Sequence, residues 1–160
     1  YKAKRKKTDE ELISQLIKSR DIFRAFGIPF YESPGFEADD LLGTIAEQLK
    51  NEKEIEIIIA SGDTDTLQLV DNKKVQVFTL KRGINDTIIY DEEAVIKRFG
   101  FGPKLITDFK GLRGDPSDNI PAIKGIGEKT ASVLIQNFGS IENIYECLKK
   151  DKNQFIKVGF

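Results

Sequence analysis

The chain has 160 residues, of which 39% are hydrophobic and 32% charged, and its formal net charge is -1. This composition predicts a globular protein with one domain, or one large domain with a small appendage, and excludes a uniformly basic nucleic-acid-binding protein. With one cysteine and no histidine, the chain has neither an internal disulfide nor a thiol activated by imidazole. No apolar run is long enough to span a membrane and no signal peptide is visible, which predicts a cytoplasmic protein without membrane contact.

The start of the chain is strongly basic. Five of the first seven residues carry positive charge, namely Lys2, Lys4, Arg5, Lys6 and Lys7. Such a local arm can meet a polyanion even when the net charge is near zero, and a solvated tail is the alternative interpretation. Because the sequence begins at Tyr1 and contains no Met, we expect it to be a piece of a longer polypeptide.

Two helices are predicted in the first fifty residues. Thr8 and Glu11 have the spacing of a capping box, and apolar residues at helical spacing follow until Gly27. A short strand is predicted over residues 28–31. The second helix follows the turn at residues 33–35, and its predicted buried face consists of Leu41, Leu42, Ile45, Ala46 and Leu49.

Three further strands and three further helices are predicted next. The first of these helices is short, opens at Asp63 and Asp65, and turns Leu67, Leu69 and Val70 inward. Residues 55–60 are mostly β-branched, which is typical of a strand covered on both faces. Strands at 75–78 and 87–90 are joined through Arg82-Gly83, Asp91 caps a helix that ends at Phe99, and Pro103 begins another that ends near Gly114. The alternation predicts an α/β fold with a mostly parallel central sheet flanked by helices over residues 1–100. Residues 101–160 are predicted to be helical.

Seven acidic residues fall into three clusters, each beside a glycine. They are Glu37, Asp39 and Asp40, then Asp63 and Asp65, then Asp115 and Asp118. Like charges at this density repel, so a positive group must hold them together, and without histidine the natural partner is a hard divalent cation bound through oxygen. One such cluster alone is better explained as a helix cap, whereas three in one chain favour a metal site acting on phosphate.

The positions of the clusters predict that they converge. Asp63 and Asp65 follow the strand that ends at Ala60, and Glu37 and Asp40 share one face of a helix near its start. Ligands of open α/β sheets bind beyond the carboxyl ends of the strands, and a helix N-terminus tolerates carboxylates. We therefore expect the three clusters to meet at one edge of the sheet.

A glycine-rich turn, Gly125-Ile-Gly-Glu-Lys-Thr130, precedes a predicted helix that ends at Phe138. Two glycines one residue apart expose backbone N–H groups at a helix start, which suits a phosphate, and Lys124 and Lys129 add positive charge. The spacing is not that of a phosphate-binding Walker loop, and no strand precedes it as a dinucleotide-binding motif requires. An ordinary turn between helices is the alternative.

Together these motifs resemble the 5′-nuclease domain at the N-terminus of bacterial DNA polymerase I, a member of the flap endonuclease family. The matching segments are Gly35-Phe-Glu-Ala-Asp-Asp-Leu-Leu42, Ala60-Ser-Gly-Asp-Thr-Asp-Thr-Leu-Gln-Leu69, and Gly114-Asp-Pro-Ser-Asp-Asn-Ile-Pro121 with Gly125-Ile-Gly-Glu-Lys-Thr-Ala131. They occur in the family's order, and the resemblance extends from Tyr1 to about residue 150. It implies a PIN-like nuclease core followed by a helix–turn–helix variant.

The resemblance implies a role for each cluster. All seven acidic residues would bind two Mg²⁺ or Mn²⁺ ions, directly or through water. Residues 1–7 would be the remnant of a basic arch, in which Lys2 approaches the scissile phosphate, Arg5 assists it and Tyr1 stacks on a base. A helical unit would grip the duplex backbone without reading sequence, with K⁺ at the hairpin, through Lys124, Gly125, Gly127, Lys129 and Thr130.

The implied function is metal-dependent 5′-3′ exonuclease and flap endonuclease activity on duplex DNA with a 5′ flap, a nick or a free 5′ end. The implied protein is a monomer in the cytoplasm, associated with the nucleoid. In the family a first strand carries a further catalytic Asp, which would lie upstream of Tyr1, so the fold is expected to be incomplete. The missing N-terminal segment and a fused polymerase domain are the expected partners.

Two other functions are left open by the residues. One is a DNA-binding module with an incomplete metal site, inactive without the missing N-terminal segment. The other is a nuclease of the toxin-like RNase group, against which the Gly125–Thr130 hairpin argues.

Overall fold

The computed structural model describes residues 7–150 and contains, within that range, six α-helices and a three-stranded sheet. The helices are α1 (Glu10–Ala25), α2 (Ala38–Leu49), α3 (Glu92–Phe99), α4 (Ile106–Arg113), α5 (Glu128–Phe138) and α6 (Ile141–Lys150). The strands are β1 (Ile57–Ala60), β2 (Val75–Arg82) and β3 (Asp86–Tyr90), and 3₁₀ helices span Thr64–Leu69 and Pro103–Leu105. After residue 100 the described chain forms helices and loops, as predicted.

Helix α1 differs from the prediction at its start. Asp9 is the N-cap instead of Thr8, because its carboxylate accepts a hydrogen bond of 2.8 Å from the Glu11 backbone N–H. The helix ends just before Gly27, whose φ of 68° is unfavourable for other residues. None of the residues in α1 is buried, so the helix is held by few tertiary contacts.

The strand predicted over residues 28–31 is wrong, since this segment has no regular structure. Phe30 instead stacks on Phe23 of α1, with ring centroids 6.4 Å apart, and the Arg20 guanidinium lies 5.2 Å from the Phe30 centroid. These contacts fold the segment back against its own helix, which competes with pairing to the sheet.

The sheet has the order β1-β2-β3 and is mixed. Strands β1 and β2 are parallel, with Ile57 opposite Val75, whereas β2 and β3 are antiparallel, with Val77 opposite Tyr90. The α/β class is confirmed, but within the described residues the sheet is not mostly parallel. The reason is the three-residue connection 83–85, because a parallel pair requires a crossover of a dozen residues or more.

One hydrophobic core joins the sheet to the later helices. Phe109 of α4 is buried and packs against Phe101, with centroids 5.4 Å apart, and against Phe99 at 6.0 Å. The same core includes side chains from α2, β1, β2, α3, α5 and α6, namely Ala46, Ile59, Val77, Val95, Leu134, Ile135 and Ile144. Helix α4 is therefore fixed relative to the sheet. No helix within residues 7–150 has the length and apolar character needed to cross a membrane.

Candidate metal centre

Three of the predicted acidic residues meet in space. Carboxylate oxygens of Asp65, Asp115 and Asp118 all lie within 4.8 Å of one another, and we call these residues the acidic triad. Asp65 belongs to the 3₁₀ helix after β1, and the other two lie in the loop after α4. Three hard oxygen donors at this spacing match what divalent cations such as Mg²⁺ and Mn²⁺ prefer. The residues present therefore fit a divalent metal ion.

The segment after β1 orients Asp65. The Asp63 N–H donates to the Ser61 hydroxyl at 3.0 Å, and the Asp63 carboxylate accepts from the Asp65 N–H, also at 3.0 Å. Asp63 is therefore the N-cap of the 3₁₀ helix, and Oδ1 of its carboxylate accepts from the backbone. This tight turn directs Asp65 towards α4.

The loop that carries the rest of the triad is equally constrained. Gly114 has φ 74° and ψ 171°, and a Cβ at this position would lie 2.4 Å from the Ala122 backbone nitrogen. Asp115 exchanges two backbone hydrogen bonds with Ile120, at 3.0 and 2.9 Å. The Asp115 carboxylate accepts from the Ser117 N–H at 3.0 Å and from the Ser117 hydroxyl. Only glycine fits at position 114, and the hydrogen bonds of the loop hold Asp115 in a single orientation.

Lys110 of α4 provides the positive charge inside the triad. Its ammonium donates to the Asp65 carboxylate and, at 2.7 Å, to Oδ2 of Asp115. The exposed fractions of the three side chains are 22% for Lys110, 24% for Asp65 and 8% for Asp115. The motifs did not identify Lys110. Its position directly after Phe109, at the edge of the buried face of α4, is the one signal in the sequence that could have done so.

The charges of this group perturb one another. Hydrogen bonds from Lys110 and Ser117 hold the pKa of the Asp115 carboxyl well below its usual range. Burial lowers the pKa of Lys110, but its hydrogen bonds to Asp115 and Asp65 outweigh burial, so the net shift is upward. For Asp65, burial raises the pKa, and the charges of Asp63 and Asp115 add to it against the opposing effect of Lys110. One ammonium thus compensates Asp115 better than Asp65.

The first acidic cluster, which we call the α2 group, consists of Glu37, Asp39 and Asp40. The Glu37 N–H donates to the Asp40 carboxylate at 2.8 Å, so Asp40 caps the helix. Asp39 and Asp40 line a groove of about 400 Å³ together with Thr66 and Gln68 of the 3₁₀ helix. Asp39 and Asp40 of the α2 group therefore face the element that carries Asp65. Its members and Asp63 lie outside the triad, and their role as metal ligands stays a prediction.

The glycine-rich hairpin lies at the start of α5. Gly125 has φ 86°, Gly127 is the N-cap, and no side chain of the described residues caps this helix start. Lys124, Gly125, Gly127 and Lys129 are exposed and Thr130 is partly buried. The arrangement leaves N–H groups accessible beside two cations, and the proposed grip on DNA stays a prediction. Tyr1, Lys2 and Arg5 lie outside the described residues.

Two family models together match nearly the whole chain. Residues 1–100 match the 5′-3′ exonuclease N-terminal resolvase-like domain, and residues 101–158 match the 5′-3′ exonuclease C-terminal SAM fold. The chain therefore belongs to the 5′-3′ exonuclease family, as its motifs predicted.

Individual relatives agree with this assignment. The chain is 43% identical over 157 residues to DNA polymerase I of Bacillus caldotenax, covering 98% of this chain and 18% of that protein. It is 40% identical over 146 residues to DNA polymerase I of Mycobacterium tuberculosis, covering 91% of this chain and 16% of that protein. The chain thus spans less than a fifth of the length of these relatives.

Solved structures confirm the fold. The T5 5′-exonuclease with bound zinc ions superposes with a TM-score of 0.74 at 24% identity, covering 98% of this chain and 57% of that chain. The catalytic core of Rad2 in complex with a DNA substrate superposes with a TM-score of 0.58 at 22% identity, covering 94% of this chain and 43% of that chain. The first is an exonuclease by name and the second is named with a DNA substrate, and the likeness at this identity establishes the fold alone.

Proposed function

We propose that the chain is a metal-dependent 5′-3′ exonuclease and structure-specific flap endonuclease that hydrolyses phosphodiesters of branched or nicked duplex DNA. The acidic triad carries this proposal, because three carboxylate oxygens within 4.8 Å form a donor set for a divalent cation. Membership of the 5′-3′ exonuclease family supports the choice of DNA as the substrate.

Asp65, Asp115 and Asp118 would hold Mg²⁺ or Mn²⁺, which when bound would activate water for in-line attack on a phosphodiester. Asp63 and the α2 group (Glu37, Asp39 and Asp40) would complete a two-metal ligand set, directly or through water. The groove shared by the α2 group and the 3₁₀ helix supports this placement. Lys2 and Arg5 would offset negative charge that develops on the phosphate.

The hairpin would grip the duplex and thereby place the junction at the triad. The exposed backbone at Gly125 and Gly127 and the ammonium groups of Lys124 and Lys129 would contact phosphates, and Thr130 would support them at the helix start. We include K⁺ at this turn, and Tyr1 as a stacking partner for a base.

The same proposal includes the surroundings of the chain. The named relatives are bacterial DNA polymerases, which supports a fused polymerase domain, a further N-terminal segment and a place at the nucleoid in the cytoplasm. We propose that the unit acts as a monomer.

The test is cleavage of a labelled 5′-flap duplex in Mg²⁺ or Mn²⁺ by the wild-type chain and by Asp118→Asn. We expect the variant to lose at least about 100-fold in rate, because a metal-based reaction depends on each ligand for several kcal/mol. Flap binding measured with EDTA should change by less than about twofold, since no phosphate contact is removed. Glu93→Gln, on the exposed face of α3, is the charge-matched control and should cleave normally.

Unchanged cleavage by Asp118→Asn would refute the metal site. Preference of the wild-type chain for single-stranded RNA over flap DNA would support the toxin-like RNase alternative instead.

A second candidate is a DNA-binding module whose metal site is completed by a segment that precedes Tyr1 in a longer polypeptide. The observation in its favour is that three of the seven predicted carboxylates form the triad. In that case the chain would bind flap DNA without cleaving it, and cleavage would appear when the preceding segment is added. Cleavage by the 160-residue chain alone would exclude this candidate.

The hairpin has its own test, which is Lys129→Ala. We expect weaker binding to every duplex sequence and a salt slope smaller by about 0.9, as loss of one phosphate contact implies. Lys97→Ala, an exposed lysine of α3, serves as the control. A loss confined to particular DNA sequences would contradict a backbone contact.

A further inference from the structure

We propose that Lys110 is an internal cation that occupies the acidic triad in the absence of metal, and that its ammonium leaves Asp65 and Asp115 when a divalent ion binds. Metal loading would then be an exchange of one cation for another. The inference rests on the proposed metal site, but it concerns the affinity of that site and does not require catalysis.

The geometry supports mutually exclusive occupancy. The Lys110 nitrogen donates to oxygens of both Asp65 and Asp115, so it lies between two of the three carboxylates. A metal ion bound by those two carboxylates would need the same space, because the three donor oxygens lie within 4.8 Å of one another. The ammonium therefore occupies space between two of the carboxylates that would hold the ion.

Electrostatics points to the same exchange. The triad brings three carboxylates together with one ammonium that contacts two of them, and the side chains of Asp65 and Asp115 are 24% and 8% exposed, so solvent screens them weakly. Lys110 therefore relieves part of the repulsion, and a divalent ion would relieve more. A divalent ion and the ammonium at the same two carboxylates would repel each other strongly.

Lys110 is also able to leave. Its side chain is a flexible four-carbon stem with a compact charge, and 22% of it is exposed, so a path to solvent exists. The backbone need not move, because the neighbouring Phe109 is anchored in the core. The exchange can therefore proceed by rotamer changes of a single side chain.

The test measures Mn²⁺ binding to the 160-residue chain without DNA. Titration calorimetry gives the dissociation constant for the wild type and for Lys110→Met. The methionine is similar in length and removes the charge. If the form with Lys110 withdrawn is populated about a tenth of the time, removing the competitor should tighten Mn²⁺ binding about tenfold. Lys104→Met, an exposed lysine outside this group, controls for a general change in charge.

Two more measurements would test whether Lys110 competes with the metal ion. In EDTA, Lys110→Met should have a lower melting temperature than the wild type, because two carboxylates lose their partner, and saturating Mn²⁺ should raise it by more than in the wild type. Lys110→Arg keeps the charge, and its guanidinium binds carboxylates in a bidentate manner, so we expect Mn²⁺ binding weaker than in the wild type. If Lys110→Met does not fold, the Mn²⁺ affinity of Lys110→Arg tests the exchange instead, and binding as tight as in the wild type would contradict it.

Equal or weaker Mn²⁺ binding by a folded Lys110→Met would overturn the inference while leaving the metal site intact, since Lys110 would then position the carboxylates. Equal tightening by Lys104→Met would overturn it as well. Absence of Mn²⁺ binding in the wild type and in both variants would instead remove the metal site, and with it both this inference and the proposed function.

Discussion

The acidic triad and the α2 group have similar sequences but different environments. The Asp115–Asp118 part of the triad and the α2 group each follow a glycine with positive φ, Gly114 at 74° and Gly35 at 86°. The Asp115 side chain is 8% exposed and pairs with Lys110 of the preceding helix, whereas Glu37 and Asp40 are exposed and bond to each other at a helix start. An acidic cluster in a sequence can therefore be a helix cap or half of a charged site, and the residues packed against it decide which.

The largest difference between the two groups should come from their glycines. Gly114→Ala should destabilise the protein by at least about 3 kcal/mol, because alanine is strained at this φ and ψ and its Cβ would overlap the Ala122 backbone. Gly35→Ala should cost about 1 kcal/mol, since the φ is positive but no atom lies within 4 Å of the added Cβ. Urea unfolding of both variants measures the difference, and equal losses would show that the close approach of Gly114 to the Ala122 backbone adds nothing to the cost of a positive φ.

Removing the buried carboxylate should have the next largest effect. Asp115→Ala should lose about 2–3 kcal/mol, because Lys110 and the Ser117 N–H both lose an acceptor in a poorly solvated place. Asp115→Asn keeps an oxygen for Ser117 and should lose about half as much. Chemical unfolding in EDTA excludes any contribution from bound metal. If Asn is as damaging as Ala, the charge and not the hydrogen bond to Ser117 determines the stability of this loop.

The smallest effect should come from the α2 group. Asp40→Ala removes the acceptor of the Glu37 N–H and should cost about 0.5–1 kcal/mol, as expected for a helix cap. Gln48→Ala on the exposed face of the same helix should be nearly neutral. Thermal unfolding monitored by circular dichroism measures the stability of both variants against the wild type. A loss as large as that of Asp115→Ala would mean that Asp40 has tertiary partners like those of the triad.

Much of the fold could be predicted because its signals are local. The strands at 75–82 and 86–90 and the helix that follows Asp91 are marked by β-branched runs, by a glycine at the turn and by a capping carboxylate. The strand expected over residues 28–31 failed because an aromatic contact with Phe23 competes with the sheet. The antiparallel direction of β3 was available from the short connection before it, which no crossover could fit.

The site was predicted in part. The expected convergence of the acidic clusters is met by Asp65 with Asp115 and Asp118, and for Asp65 it rested on the position directly after a strand. Lys110 was not predicted, because 45 residues separate it from Asp65 and a lysine on a helix usually points to solvent. The buried packing of Phe109, one residue earlier, fixes the helix so that the lysine reaches both carboxylates.

The contrast between α1, which buries no residue, and α4, which buries three, has a consequence for hydrogen exchange. Backbone amides of α4 should become exposed to deuterium mainly when the whole molecule unfolds, whereas those of α1 need only local opening. The α4 amides should therefore report global stability, and the α1 amides should exchange orders of magnitude faster at the same pH. A core-anchored helix would thus hold Lys110 at the triad during any local opening of the first helix.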